Sequence, residues 1–157
     1  MSKVRAEILS PEFPNMAAAR ITINAPASAI FELLANPRSH QLFDGSGTIQ
    51  ANIEGPERLY LGATFTMKMK IRIGYKIKNT VTEFEESKRI TWRHLMRWTW
   101  SYQLVEIGNG QTEVTETFDA HSVPAFSTWW IARTGAMKYN PTNIAKSLVR
   151  LKAMCEA

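Results

Sequence analysis

Cysteine is almost absent from this chain. The one present, Cys155, lies near the C-terminus, so neither an intrachain disulfide framework nor a cysteine-rich metal site can form. A reducing compartment is the expectation. Long apolar runs are missing too: no stretch reaches the roughly 18 residues needed to span a bilayer. The opening MSKVRAEILSPEFPN lacks the apolar core of about 7–15 residues that marks a secretory signal. Together these absences predict a cytoplasmic protein without stable membrane insertion. His40, His94 and His121 follow no metal-ligand spacing, and HExxH, glycine-rich phosphate loops and GxSxG elbows do not occur. No metal and no nucleotide or other cofactor is implied. No internal repeat is present either.

What the chain does have is an ordinary globular composition, 45% hydrophobic and 21% charged, with five Trp and seven Met in 157 residues. A chain of this length forms a single domain that buries about 70% of the surface its unfolded state exposes. Residues 1–15, with Pro11 and Pro14 and no sustained periodicity, read as an extended arm or flexible leader; residues 16–157 read as the domain. The net charge of +5 fits a solvated basic surface better than it does an anionic partner.

Arg20 to Asn24 alternates polar and apolar as a strand does, and Pro26 then opens a helix with Ile30, Phe31, Leu33 and Leu34 at helical spacing, closed by Asn36-Pro37. A second short helix is expected over Arg38 to Phe43, before the turn Asp44-Gly45-Ser46-Gly47. From Gly47 to His121 nearly every segment alternates. Ala63 to Ile73 is the cleanest strand; Gly74, Ser87-Lys88 and Gly108-Asn109-Gly110 mark turns between the strands that follow. Asn140-Pro141 predicts the start of a C-terminal helix with Ile144, Leu148, Leu151 and Cys155 on one stripe. The order is strand, two short helices, six strands, long helix: an α+β domain whose antiparallel sheet needs the last helix to cover its dry face.

The stretch ITINAPASAIFELLANPRSHQLFDGSG, Gly62, RITW at 89–92 and WSYQLVEIGNGQTEVTETF at 100–118 resemble the START-like, Bet v 1-like (SRPBCC) superfamily. Within it they are most similar to polyketide cyclase/dehydrase and lipid-transport members. The resemblance runs from about residue 17 to 155 and implies a helix-grip fold: a curved seven-stranded antiparallel sheet wrapped around a long C-terminal helix, with two short helices between strands 1 and 2. It also implies an elongated cavity for apolar ligands between sheet and helix. Members bind or carry lipids, sterols and polyketides, and a minority catalyse cyclisation or dehydration; the fold does not choose among these.

The apolar phase of each strand assigns the inner face without the resemblance. Met67 and Met69 fix the third strand; Tyr75, Ile77, Asn79 and Val81, then Ile90, Trp92, His94 and Met96, then Trp98, Trp100, Tyr102 and Leu104, then Val114, Glu116 and Phe118 follow. A one-residue bulge flips part of any strand. Large aromatic and thioether side chains suit a pocket for a flat or extended apolar molecule, so Phe43, Met67, Met69, Trp92, Trp100 and Phe118 are ligand-lining candidates. Polar residues on this face need partners. Tyr75, Asn79 and Tyr102 are therefore candidates to orient a ligand, and His94 with Glu116 are candidate acid-base groups should they share one cavity.

The basic hairpin Lys68, Lys70, Arg72, Lys76 and Lys78 on the outer face fits protection of an edge strand better than a docking patch for an anionic membrane or nucleic acid, and no aromatic residue interleaves with it on that face as single-stranded nucleic acid would require. Trp129 and Trp130 are neighbours and diverge by about 100° on a helix. One of them, Trp129 being the ligand candidate, is expected to close the cavity mouth or to sit in a homodimer contact. His40, Asp44 and Ser46 in HQLFDGSG are not a triad, because neither an elbow nor an oxyanion loop accompanies Ser46 and the glycines are turn chemistry. The stretch reads instead as a hinge that puts His40, Phe43 and Asp44 near one end of the cavity. Three functions follow: a carrier or sensor of a small hydrophobic molecule, whether lipid, polyketide or other aromatic or isoprenoid-like compound; a cyclase/dehydratase-type enzyme without metal; or a non-catalytic interaction module with a filled interior.

Overall fold

The computed structural model describes residues 3–49, 53–70 and 74–157. Seven antiparallel strands form one sheet, β1 (Glu7–Leu9), β2 (Met16–Ile23), β3 (Thr64–Lys70), β4 (Gly74–Glu85), β5 (Arg89–His94), β6 (Thr99–Gly108) and β7 (Gln111–Asp119), in the order β1-β2-β7-β6-β5-β4-β3. Between β2 and β3 come α1 (Ala27–Ala35), a single 3-10 turn at Pro37–Ser39 and α2 (His40–Phe43); after β7 come α3 (Ala125–Thr134) and α4 (Ala136–Cys155). This is the helix-grip arrangement.

The leader is less free than its composition predicts. Glu7–Leu9 pairs with Ala18–Arg20 of β2, and Glu7 holds the Arg20 guanidinium at 2.7 Å. Three residues are too few to show a period, and their pairing is supplied by the open edge of β2. This strand completes the seven. Between α2 and β3, only the isolated bridges Ile49↔Met69 and Glu54↔Thr66 continue the sheet beyond β3 among the described residues. The expected strand there falls partly on residues 50–52, and the tip of the basic hairpin on 71–73; both lie outside the described residues.

The alternation in β2 puts Ala17, Ala19, Ile21 and Ile23 inside. The two alanines leave room for α4, which packs chiefly on β2 through Ile144, Ser147, Leu148 and Leu151. That stripe is the expected one, but the helix starts earlier. Gly135, at φ 68°, ends α3 by donating its N–H to Ile131 and Ala132 and starts α4, so Pro141 sits inside the helix and not at its first turn. A left-handed residue is the stronger boundary here, and Pro141 forfeits one backbone bond. A bulge between Val81 and Glu83 also shifts the phase of β4, turning Phe84 inward against Phe31, 5.2 Å between ring centres.

Strand polarity sorts the connections into two ends. The β4–β5 and β6–β7 turns lie with the start of α1; the β5–β6 turn and the end of β7 lie with α3.

Candidate functional site

The concave face of the sheet changes character along its length. Toward the α1 end the inward side chains Phe65, Val81, Ile90, Trp92, Tyr102, Leu104, Val114 and Glu116 are buried, with Phe84 at the end of β4 partly so. Toward the α3 end Met69, Ile77, His94, Met96 and Trp100 point to the same side and remain half-exposed. On β2 and β7, which α4 covers, burial is continuous up to Ala17 and Phe118. The inner face is thus sealed at one end and partly open at the other, beside α3.

The seal is aromatic, and it comes from the stretch HQLFDGSG. His40 stacks on Trp92 with ring centres 4.8 Å apart and meets Phe65 edge-on at 5.6 Å, while Phe43 meets Tyr102 edge-on at 6.3 Å. Local chemistry holds these residues in place. The Asp44 carboxylate accepts from the amides of Ser46, Thr48 and Ile49 and from the Ser46 hydroxyl, closing the turn on itself. Gly45 then lies against α4: its amide donates to the Ser147 hydroxyl at 2.8 Å, and a Cβ there would run into the Asn143 carbonyl and stand 2.7 Å from the Ser147 nitrogen. The Arg150 guanidinium reaches the Asp44 carbonyl from the same helix. Ser46 is spent on Asp44 and is no nucleophile.

Inside the seal two polar groups are left short of partners. His40 is 2% exposed; its Nε2–H donates to the Leu34 carbonyl at 2.8 Å, and its Nδ1 has no partner. Burial drives its pKa down to about 4, against smaller opposing effects of the Leu34 bond and the Asp44 charge, so the ring is neutral and Nδ1 is a free acceptor. Glu116 is 4% exposed and sits opposite Tyr102 in the β6–β7 ladder; its Oε2 has no partner. Burial pushes its pKa up to about 8; the Tyr102 hydroxyl works against this and the Asp44 charge adds to it. At neutral pH Glu116 is therefore largely a carboxylic acid, able to donate. Burial and the nearby Glu116 charge likewise push the Tyr102 phenol well above its ordinary value.

His94 and Glu116 are not brought together. Glu116 pairs with Tyr102 and Tyr102 with Ile90, four residues short of His94 on β5. That is roughly 10 Å across the sheet and 13 Å along it at ordinary strand spacings. His94 instead stacks on Trp98 at 4.2 Å and accepts the Met96 amide on Nδ1 at 2.9 Å, tying up the β5–β6 turn; burial lowers its pKa to about 4.

The other candidates divide between the two ends. Met67 and Asn79 are buried in the middle, with Asn79 between Phe65 and His94 in the ladders. Phe118 is buried and packs on Trp100 at 4.8 Å, and Tyr75 stands opposite Met69 in register. Trp129 is 57% exposed on the outer side of α3, stacked on Phe126. His40, expected with Phe43 and Asp44 near one end of the cavity, is buried in the seal. Its burial depends on Trp92, fifty-two positions away, and the only local signal was its place in a helical turn before Phe43.

Among the described residues no group of three His, Cys, Asp or Glu side chains converges as a metal site requires, and no helix is long and apolar enough to cross a membrane. A surface hollow of about 490 Å³ opens at the α1 end, rimmed by Glu85, Glu86, Lys88 and Arg89. None of its lining residues carries an unpartnered buried group.

Known proteins share this arrangement. The uncharacterized protein Rv0088 of Mycobacterium tuberculosis H37Rv is 33% identical over 141 residues, 88% of this chain and 63% of that protein. The chain thus spans just under two thirds of the relative's length. Among solved structures, the Zhui aromatase/cyclase from Streptomyces sp. R1128 superposes with a TM-score of 0.67 at 13% identity, over 90% of this chain and 93% of that one. A protein from Arthrobacter aurescens superposes at 0.71 and 13% identity, over 96% and 91%. At such identities the likeness is one of fold. The family model for polyketide cyclase/dehydrase and lipid transport matches residues 16–156, from the first residue of β2 to the end of α4. With the helix-grip sheet and its sealed concave face, that match places the chain in the polyketide cyclase/dehydrase and lipid transport family of the START-like, Bet v 1-like superfamily.

Proposed function

We propose that the domain binds a small hydrophobic molecule, a lipid, polyketide or similar aromatic or isoprenoid-like compound, along the concave face, as a carrier or sensor. The observation that carries this reading is the half-exposed row Met69, Ile77, His94, Met96 and Trp100 on a face that is otherwise dry. Apolar side chains left open on the inside of a sheet are stabilised when a ligand covers them. Behind them, the Glu116 carboxyl and His40 Nδ1 offer one donor and one acceptor to a polar group that reaches the seal. Native mass spectrometry of the purified protein, followed by identification of any released compound, tests it. A defined lipid or polyketide supports the reading; an empty protein that also fails to bind after challenge with fatty acids and aromatic polyketides overturns it.

A second reading is favoured by one observation, the burial of Glu116 opposite Tyr102, which pushes its pKa up to about 8. A buried carboxylic acid beside Tyr102 can give its proton to a departing hydroxyl, as the general acid of a dehydration does. In this reading His94 has no direct part. Turnover of a β-hydroxy ketone that is lost in Glu116→Gln but kept in His94→Gln supports it; binding without turnover leaves the carrier or sensor reading standing alone.

A further inference from the structure

Helix α3 is amphipathic the wrong way round. Its buried side consists of Ser127 and Ile131, with Ser127 donating to the Met96 carbonyl of the β5–β6 turn. The opposite stripe, at positions i, i+3, i+4 and i+7, is Phe126, Trp129, Trp130 and Arg133, and the three aromatics are 64%, 57% and 44% exposed. The Ser127 contact brings the β5–β6 turn against this helix, and that turn presents Leu95, 71% exposed. Exposed apolar residues collect here on two elements far apart in sequence.

The charge around them has one sign. No Asp or Glu occurs between Asp119 and Glu156, or between Glu86 and Glu106, and these two stretches supply α3, α4 and the β5–β6 turn. Arg97, Arg133 and Lys138 are exposed and, among the described residues, none is in an ion pair. Asp119, at the end of β7 that lies with α3, is held by the His121 ring at 2.5 Å. At the opposite end of the sheet carboxylates and cations are mixed and paired, Glu83 with Arg89, Glu85 with Lys88 and Glu86 with Arg58. The two ends therefore differ: beside α3 the exposed cations have no carboxylate partner among the described residues and stand next to exposed aromatics, and at the other end cations and carboxylates pair.

We propose that the α3 end docks on an anionic lipid bilayer surface, with Phe126, Trp129, Trp130 and Leu95 entering the interface and Arg97, Arg133 and Lys138 meeting lipid phosphates. Trp suits such a boundary, having an apolar body and a polar edge, and each nearby cation adds attraction to anionic headgroups. A second copy of the chain fits the patch less well. Pairing α3 with itself brings Arg133 of both copies into one interface, with Lys138 close behind on α4 and no carboxylate in the segment to answer them. The four apolar side chains also expose on the order of 500 Å², from whole side-chain areas of roughly 150–250 Å² each. That falls short of the ~800 Å² per partner of a stable interface.

The docking stands on the outer surface and holds whether or not the concave face carries a ligand. Sedimentation with vesicles tests it: phosphatidylcholine alone against phosphatidylcholine with phosphatidylglycerol, at low and high salt. We expect about tenfold or stronger partitioning onto the anionic vesicles at low salt, weakened by salt. Trp129→Ala/Trp130→Ala should lose binding to both vesicle types, and Arg97→Glu/Arg133→Glu should lose the preference for anionic ones. Both changes are at exposed positions, and circular dichroism melts of each variant check that the fold persists. Equal partitioning onto both vesicle types, unchanged binding by either folded variant, or a dimer that the Trp variant dissolves while vesicles are ignored, would each overturn the proposal.

Discussion

Trp92 and Trp100 face each other directly across the β5–β6 ladder, point to the same side of the sheet, and live in different surroundings. Trp92 is 6% exposed, sandwiched among His40, Phe65 and Tyr102; Trp100 is half-open and packs on Phe118. The strands are the same, and so is the alternation that aims both rings inward. What differs is the cover: α2 and its aromatic rings close the α1 end, and nothing comparable closes the α3 end among the described residues. One end of the concave face is thus core, and the other is surface that the fold has turned inward.

The sharpest way to break the comparison is to empty the sealed end. Trp92→Ala removes the ring on which His40 stacks, and should cost about 3–5 kcal/mol in urea unfolding, the usual range for a buried aromatic. A loss below about 1 kcal/mol would mean the seal is already loose.

Glu116→Gln comes next and acts in the stabilising direction. The unfolded carboxyl ionises near its ordinary value of 4.5 and the folded one near 8, so between these values the unfolded state releases its proton first. The contribution is neutral below about pH 4.5 and becomes increasingly unfavourable up to about pH 8. Glutamine keeps the shape and removes the cost, so the variant should be roughly 2–4 kcal/mol more stable than wild type at pH 8 and equal to it at pH 4. His40 acts on the other side. Its folded value near 4 lies below its ordinary 6.5, so stability present above pH 6.5 is lost as pH falls toward 4. In Glu116→Gln only that acid limb should remain, with a flat profile from pH 6.5 to 8. A wild-type profile already flat over that interval would show Glu116 to be ionised and solvated.

Gly45→Ala tests how the seal is held. The added methyl meets the backbone of α4, so the Asp44–Ser46 turn must lift from Ser147. We expect a loss of about 1–3 kcal/mol, as for an overpacked site, with hydrogen exchange quickening in α2 before it does in β6. Uniform exchange across both elements would show that the turn does not act locally.

The outlines of this arrangement were open to reading in the sequence wherever the signal is periodic. Alternation over Thr64–Lys70 and Gln111–Asp119 gave the inner face, and the Ile144–Leu148–Leu151 stripe gave the covering helix. The misses occur where non-local partners decide. Glu7–Leu9 is a strand because β2 has an edge to offer; α4 begins at Ala136 because a left-handed Gly135 outweighs Pro141. His94 and Glu116 share a phase, but the distance between them depends on strand register, which periodicity does not encode. HQLFDGSG shows both sides. Its glycines announced a turn, yet that His40 would plug the interior and Gly45 would seat on α4 follows only from what the turn meets.

The smallest expected change in stability falls on Trp100, and it sharpens the comparison most. Trp100→Ala removes the same atoms as Trp92→Ala one strand away. Because its ring is already partly in water, truncation should cost only about 1 kcal/mol. If the half-open row is where ligand lies, the loss moves from stability to affinity: binding of a fluorescent fatty acid or polyketide should weaken about tenfold, equivalent to ~1.4 kcal/mol. Trp92→Ala, measured where it is still folded, should change affinity less than Trp100→Ala does. The reverse ranking, with Trp100 dominating stability and leaving affinity untouched, would mean that the α3 end is also core and that its half-exposure serves no ligand.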